Sequence, residues 1–325
     1  MKGITIFLVV FGHCLQYGNG QEFLTSGAFF DDVLFKIIYS FHMPLFALVS
    51  GYLFFWSVST RRPREVIMRQ ANNLVLPACM WPLLIETARA VVHVYRGDFA
   101  GISLFISKAA HGMLYSIWFL WAMFFASMVV LLAREKFRDS AKFYMLVIVM
   151  LLFVPGRIIP STYIFVFPYF VVGYIWHREG MDEKFTLSKS LTLEIVLLWL
   201  GMLMFFNRDS YVYTTGTKIF VYSQKFFIPS QLGIDVFRWA IGFAGSAAIL
   251  LLLKLVKPLG IFAKLGIKSL GIYIIHGSVI GRILPSQGGY IINFWEAVII
   301  VGACYLVSEM LSRVKILNKL LLGGR

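Results

Sequence analysis

Charge is what this chain has least of. Asp, Glu, Lys and Arg make up 14% of its 325 residues, against about a quarter in soluble domains. The charged residues sit in short stretches between apolar runs, and no block polar enough to be a soluble domain occurs. That excludes a receptor or enzyme domain appended to a membrane anchor. Cysteine is also scarce. Cys14, Cys79 and Cys304 all lie inside apolar segments, too few and too scattered for a disulfide framework or a zinc site, and they read as small buried hydrophobes. No two histidines stand three or four residues apart, so no metal centre is expected. Internal repeats are missing, which weakens an inverted-repeat transporter, and so are low-complexity segments and long linkers. The apolar run after Lys2 lacks a small-residue cleavage site and leads straight into His13 and Gln16, so it reads as a first membrane helix and not as a signal peptide. Its shortness points to a start upstream of Met1.

What the chain does have is apolar length. Hydrophobic residues reach 59% and aromatic residues 17%. Runs near twenty residues recur from end to end, each able to cross a hydrocarbon core of ~30 Å as a helix. They predict helices over 3–17, 33–58, 71–93, 114–133, 143–155, 161–177, 190–206, 233–254, 268–284 and 290–311. The expected fold is therefore all-α: one membrane-embedded domain, residues 1–325, of about ten transmembrane helices.

The net charge of +14 follows topology and not nucleic acid. With the N-terminus inside, the inner loops hold Lys2; Arg61, Arg62, Arg64, Arg69; Arg134, Lys136, Arg138, Lys142; Arg178, Lys184, Lys189; Lys254, Lys257, Lys264, Lys268; and Arg313, Lys315, Lys319, Arg325. These are 20 of the 30 basic residues. The bias places both termini in the cytoplasm. The largest outer loop, about 207–232, has two open readings, an acceptor-binding lid or an interfacial loop without a role.

Ionisable side chains in hydrocarbon are functional candidates by default. At ~1.5 Å per residue, His13 lies ~16 Å above Lys2 and His42 ~15 Å below Asp32, so both fall near the midplane. His276 stands ~12 Å above Lys268, and Glu296 enters from the outer side to a comparable depth. Three such histidines with a carboxylate fit a proton-handling site, because imidazole titrates near neutrality and is the usual general base. The plainer reading of each is an interhelical hydrogen bond. Glu86, Arg89 and His93 share one face of the third helix. They are open to an intrahelical ion pair or to a polar contact with an entering acceptor. The Arg61, Arg62, Arg64 and Arg69 cluster is a topology signal that also suits phosphates of an anionic cytosolic ligand. Trp118, Trp121 and Tyr115 are interfacial-belt residues first and ligand contacts second.

These stretches carry a resemblance. Lys2-Gly3-Ile4, followed by an apolar run to Gly12-His13, resembles the opening of the acyltransferase-3 family of membrane acyltransferases, where a basic residue precedes the helix-1 histidine by eleven positions. The segment Phe41 to Phe54 looks like the second helix of the branch related to fucose 4-O-acetylase. Trp118 to Phe125 and Ser269 to His276 are similar to its later signatures. The likeness spans almost the whole chain. The resemblance implies a multi-pass protein of the bacterial inner membrane, with acetyl-CoA or another acyl-CoA as cytosolic donor and no metal. It implies an envelope or exported glycan, or a lipid-linked saccharide, as acceptor. His13 becomes the leading catalytic residue and Lys2 takes the place of the family's arginine. The paired-arginine pattern that leads into helix 3 is reduced here to Arg69 followed by Asn72 and Asn73.

The chemistry asks only that a hydroxyl meet an activated thioester and lose its proton. On this reading Lys2 and the Arg61–Arg69 cluster hold donor phosphates at the inner mouth. His13 is the general base, oriented by His42 or Glu296, while Glu86, Arg89, Trp118 and His276 meet the acceptor. An acetyl-histidine relay is the covalent variant. The rival is a non-enzymatic polysaccharide exporter or flippase. It would need polar residues along many helices, whereas helices 5 to 7 are nearly featureless.

Overall fold

The computed structural model describes residues 1–98, 103–181, 188–219, 228–255, 260–283 and 289–324. Within them every regular element is helical. The chain opens with α1 (Lys2–Tyr17), a short α2 (Gln21–Ser26) and a 3-10 turn (Ala28–Asp31), then the long α3 (Val33–Thr60). Asp32 caps α3 by accepting from the Phe35 N–H at 2.8 Å, which satisfies one of the free amides at that end. Pro63 then stands in the first turn of α4 (Pro63–Gln70), where its missing N–H costs nothing. A π-turn (Ala71–Val75) joins α4 to α5 (Leu76–Tyr95), so the helix predicted from residue 71 begins at Pro63. Between α5 and α7 (Trp118–Lys136) lies α6 (Phe105–His111), followed by a second π-turn (Gly112–Ser116). Periodicity gave no signal for a seven-residue helix.

The second half continues with α8 (Ala141–Phe153), α9 (Ser161–Arg178), α10 (Lys189–Leu203), the four-residue α11 (Val212–Thr215), α12 (Ile228–Leu255), α13 (Gly260–Ile267), α14 (Ser269–Ile283), α15 (Gly289–Arg313) and α16 (Lys315–Leu322). Lys184, Lys257 and Arg325 of the predicted basic loops lie outside the described residues. So do residues 220–227 of the predicted 207–232 loop and residue 284, the last of the predicted 268–284 helix.

Among the described residues, five helices are long and apolar enough to cross a bilayer: Val33–Thr60, the continuous Pro63–Tyr95, Trp118–Lys136, Ser230–Lys254 and Gly289–Arg313. Lys2–Tyr17, Ala141–Phe153 and Ser269–Ile280 are apolar but shorter. These lengths, with large apolar side chains such as Leu197, Leu198 and Ile299 turned outward, describe a multi-pass membrane protein.

α3 is the axis of the bundle. It packs most extensively on α9, and also on α1 and α12, while α1 in turn contacts α13, α14 and α15. The α3–α9 contact depends on two glycines facing each other's backbones. A Cβ on Gly51 would run into the Phe170 carbonyl, and one on Gly173 into the Leu48 carbonyl. Small residues of this kind let membrane helices approach closely. One apolar cluster, from Val10 through Tyr174 to Ile272, fills the contacts of α1, α3, α7, α9 and α14. A second, around Phe35, Trp199 and Ile241, fills those of α3, α10 and α12.

The crossing of α1 and α3 fixes the site. Pro44 inside α3 has no N–H to give the carbonyl one turn earlier, which leaves that backbone less constrained beside Tyr39 and His42. Trp199 of α10 donates its indole N–H to the Ser40 hydroxyl at 3.1 Å and steadies the same turn.

Candidate active site

Two cavities lie along the bundle and adjoin in its middle. The first, of about 440 Å³, opens toward the Asp32 end. It is lined by His13, Tyr39 and His42 of α1 and α3, His276 of α14, and Trp118 and Tyr213 beside them. The second, of about 470 Å³, opens toward the Lys2 end, and Lys2, Arg61 and Arg69 stand on its walls. Tyr273 lines both cavities. Met43 and Phe46 on successive turns of α3, and the neighbours Trp118 and Phe119 of α7, likewise face one each.

The three histidines predicted from depth alone converge on the first cavity. The rings of His13 and His276 are 5.3 Å apart between centroids, and Tyr39 lies between His13 (6.4 Å) and His42 (4.6 Å). His42 and His276 are each 4% exposed. Each donates Nδ1–H to the carbonyl one turn earlier, Ile38 at 2.8 Å and Ile272 at 3.1 Å. A carbonyl can only accept, so this fixes the tautomer and leaves each Nε2 as a lone-pair base. His13 is held more loosely, with Nδ1 3.4 Å from Gln16 Oε1 and 3.5 Å from the Tyr39 hydroxyl. It is also the least buried of the three, on the wall where a ligand entering the cavity would meet it.

Other candidates fall elsewhere. Glu296 lines neither cavity. It stands beside Gly18 of α1, where Oε2 would lie 3.0 Å from a Cβ, and both of its oxygens are buried without a hydrogen-bond partner among the described residues. An orienting contact from Glu296 to His13 is therefore not formed, because Cys14 and Gly18, not His13, are on its face of α1. Glu86 and Arg89 pair with each other within α5 and line neither cavity, in keeping with the intrahelical reading. His93 bonds Asp98 at 2.9 Å. Of the arginine cluster, Arg61 and Arg69 reach the second cavity, whereas Arg62 and Arg64 do not. Trp118 faces the first cavity. Trp121 instead donates its indole N–H to the Met113 carbonyl at 2.7 Å.

Sequence reasoning missed two features. Tyr39 and Tyr273 gave no signal because aromatic residues abound in every helix here. The other is Arg238, 2% exposed on α12. It pairs with Asp235 at 2.9 Å and donates to the carbonyls of Ser210 (2.8 Å), Gly216 (2.6 Å), Asp209 (3.1 Å) and Tyr211 (3.4 Å), and to Thr215 Oγ1 (2.6 Å). One guanidinium thereby folds residues 208–217 into a roof that sets Tyr213 on the first cavity, while the Tyr211 hydroxyl bonds the Phe30 carbonyl at 3.0 Å. The signal for it was an Asp-Arg pair three apart in an apolar helix.

A membrane bundle with three histidines on one cavity and cations on the wall of the next has the parts of an acyl-transfer site. The chain belongs to the acyltransferase-3 family: residues 1–313 match its model, described as an acyltransferase domain. It is similar to Nodulation protein NolL of Sinorhizobium fredii (strain NBRC 101917 / NGR234), 28% identical over 222 residues that cover 66% of this chain and 58% of that protein. Nodulation protein NolL of Mesorhizobium japonicum (strain LMG 29417 / CECT 9101 / MAFF 303099) is 27% identical over 216 residues, 65% of this chain and 56% of that protein. The chain thus spans less than two thirds of the length of these relatives. No solved structure matches it at a significant level.

Proposed function

We propose that this protein is an O-acyltransferase of the bacterial inner membrane, moving an acetyl or similar acyl group from cytosolic acyl-CoA to a hydroxyl of an envelope or exported glycan. In this reading about ten helices span the bilayer and both termini are cytoplasmic. The Lys2-end cavity is then the donor side and the Asp32-end cavity the acceptor side. The observation that carries the reading is the meeting of the two cavities at Tyr273, one with cations at its mouth and the other with three histidines on its walls.

The chemistry follows from the geometry. Lys2, Arg61 and Arg69 hold the donor's phosphates, and the thioester reaches the level of Tyr273. A glycan hydroxyl enters from the Asp32 end. Its oxygen attacks the thioester carbonyl as its proton passes to a neutral imidazole, His13 in the first place. The carbon–sulfur bond breaks, and the imidazolium returns the proton to the leaving thiolate, so atoms and charge balance. Nε2 of His42 and of His276, each kept basic by its backbone bond, holds the neighbouring positions. General-base help of this kind contributes ~10²–10⁴-fold. The partition of Tyr273, Phe46 and Phe119 between the cavities suits a short acyl group crossing more than a polymer passing through. Membranes containing the protein, incubated with radiolabelled acetyl-CoA, should transfer label to extractable glycan. Label confined to free acetate would contradict the proposal.

A further inference from the structure

The Lys2-end cavity is graded along its depth. Along the helices that wall it, the lining runs from Lys2, Arg61 and Arg69 through Ser57, Asn73 and Ser269 to Phe46, Phe119 and Tyr273. Two of the middle residues are polar groups without work inside the protein. Ser57 is 8% exposed, and its hydroxyl is buried with no hydrogen-bond partner among the described residues. Helix serines ordinarily return the hydroxyl to a carbonyl on the preceding turn, as Ser40 does to Ile37 and Ser127 to Phe124, both at 2.8 Å. Asn73 is also 8% exposed and makes no side-chain hydrogen bond among the described residues. The π-turn Ala71–Val75 carries it, and the backbone of Gly323 packs against its Cα, 2.7 Å from where a glycine Cβ would stand. A π-turn shifts the face a helix presents, often at functional sites. Here Arg69, Gln70 and Asn73 all line the cavity.

A buried polar group without a partner is costly unless a ligand supplies one. The ligand that matches this gradient is linear: anionic at one end, amide-bearing in the middle, and tipped by an apolar acyl thioester. We infer that Ser57 and Asn73 bind the two amides of a phosphopantetheine arm, so that the donor is recognised by that arm and its phosphate rather than by its adenosine end. The inference rests on the acyl-thioester reading above. Its dimensions agree. An extended arm spans about 15 Å at peptide-like spacing, and the eleven residues from Lys2 to His13 rise ~16 Å. The seven residues from Ser269 to His276 rise ~10 Å.

The test uses the full-length protein in membranes and compares kcat/KM for three donors. These are acetyl-CoA, acetyl-4′-phosphopantetheine, and ethyl thioacetate, which has neither amide nor phosphate. In the wild type, acetyl-4′-phosphopantetheine should work within a few-fold of acetyl-CoA. Ser57→Ala and Asn73→Ala should each lower kcat/KM for both arm-bearing donors by about three- to tenfold, the loss of one ligand hydrogen bond. The loss should appear in KM, and the rate with ethyl thioacetate should not change. Ser57→Thr, which keeps the hydroxyl, should restore the affinity. Equal losses with ethyl thioacetate, or unchanged KM for the arm-bearing donors, would overturn the assignment. So would a wild type that accepts only intact acetyl-CoA. A wild type that accepts no thioester would instead refute the acyltransfer reading, and this inference with it.

Discussion

Arg238→Met tests the roof of the Asp32-end cavity. The guanidinium is buried, its partner Asp235 is buried with it, and it donates to five further acceptors in residues 209–216. Methionine keeps most of the volume and removes every donor. Removing one partner of a buried ion pair typically costs about 3–5 kcal/mol, because the remaining charge stays in a poorly solvating place. The cost falls on the 208–217 segment, because α12 itself is held by its packing on α3 and α10. At 1.4 kcal/mol per tenfold, the roof's open population rises roughly a hundredfold to a few thousandfold. Limited proteolysis of the protein in outward-facing vesicles should then cut within residues 208–217 much faster than in the wild type, and the apparent KM for acceptor should rise. Arg238→Lys keeps the charge without the planar fork and should fall between. If Arg238→Met inserts normally and its loop is no more cleavable, the roof is held by other contacts and the reasoning fails.

Three further outcomes follow from other parts of the molecule. Gly51→Ala and Gly173→Ala each push a methyl into a facing carbonyl and should cost about 1–3 kcal/mol, read as a lower folded yield by size-exclusion chromatography in detergent; normal yields would remove the close α3–α9 approach. Burial works against ionisation of Asp139, in the α7–α8 turn, but bonds from Tyr144, Tyr174 and Arg178 prevail and hold its carboxyl below the ordinary value. Its stabilisation is complete above the unfolded pKa of about 3.9 and is lost as pH falls through the lower folded value. Asp139→Asn, which tolerates the same left-handed backbone, should therefore be less stable than wild type at pH 7 and converge with it in acid; a constant gap would refute this. Arg61→Ala with Arg69→Ala should raise KM for acetyl-CoA, whereas Arg62→Ala with Arg64→Ala should not; equal effects would mean the cluster acts only through topology.

Much of this was legible in the sequence, for identifiable reasons. Long apolar runs announce membrane helices because the bilayer sets a length, so Val33–Thr60 and Gly289–Arg313 fell within a few residues of expectation. His13, His42 and His276 were found because the regular helical rise turns residue number into depth, and equal depth on neighbouring helices means proximity. Depth does not give azimuth. Glu296 lies near the same level but beside Cys14 and Gly18 of α1, and Arg62 and Arg64 do not line the cavity that Arg61 and Arg69 reach. The π-turn that brings Asn73 to the wall of the Lys2-end cavity is one extra residue in a helical turn and left no periodic trace. Arg238 organises a loop more than twenty residues earlier in the chain, which only the tertiary structure can show.

The central claim is that the half-buried imidazole of His13 on α1 removes the acceptor's proton. The most direct test is acetyl transfer per molecule by His13→Ala, measured in membranes beside the protein's abundance. Loss of a general base should cut turnover by ~10²–10⁴-fold at near-normal abundance, whereas loss of one interhelical hydrogen bond would cost only ~0.6–2 kcal/mol of stability and spare turnover. Turnover within a few-fold of wild type would contradict the account.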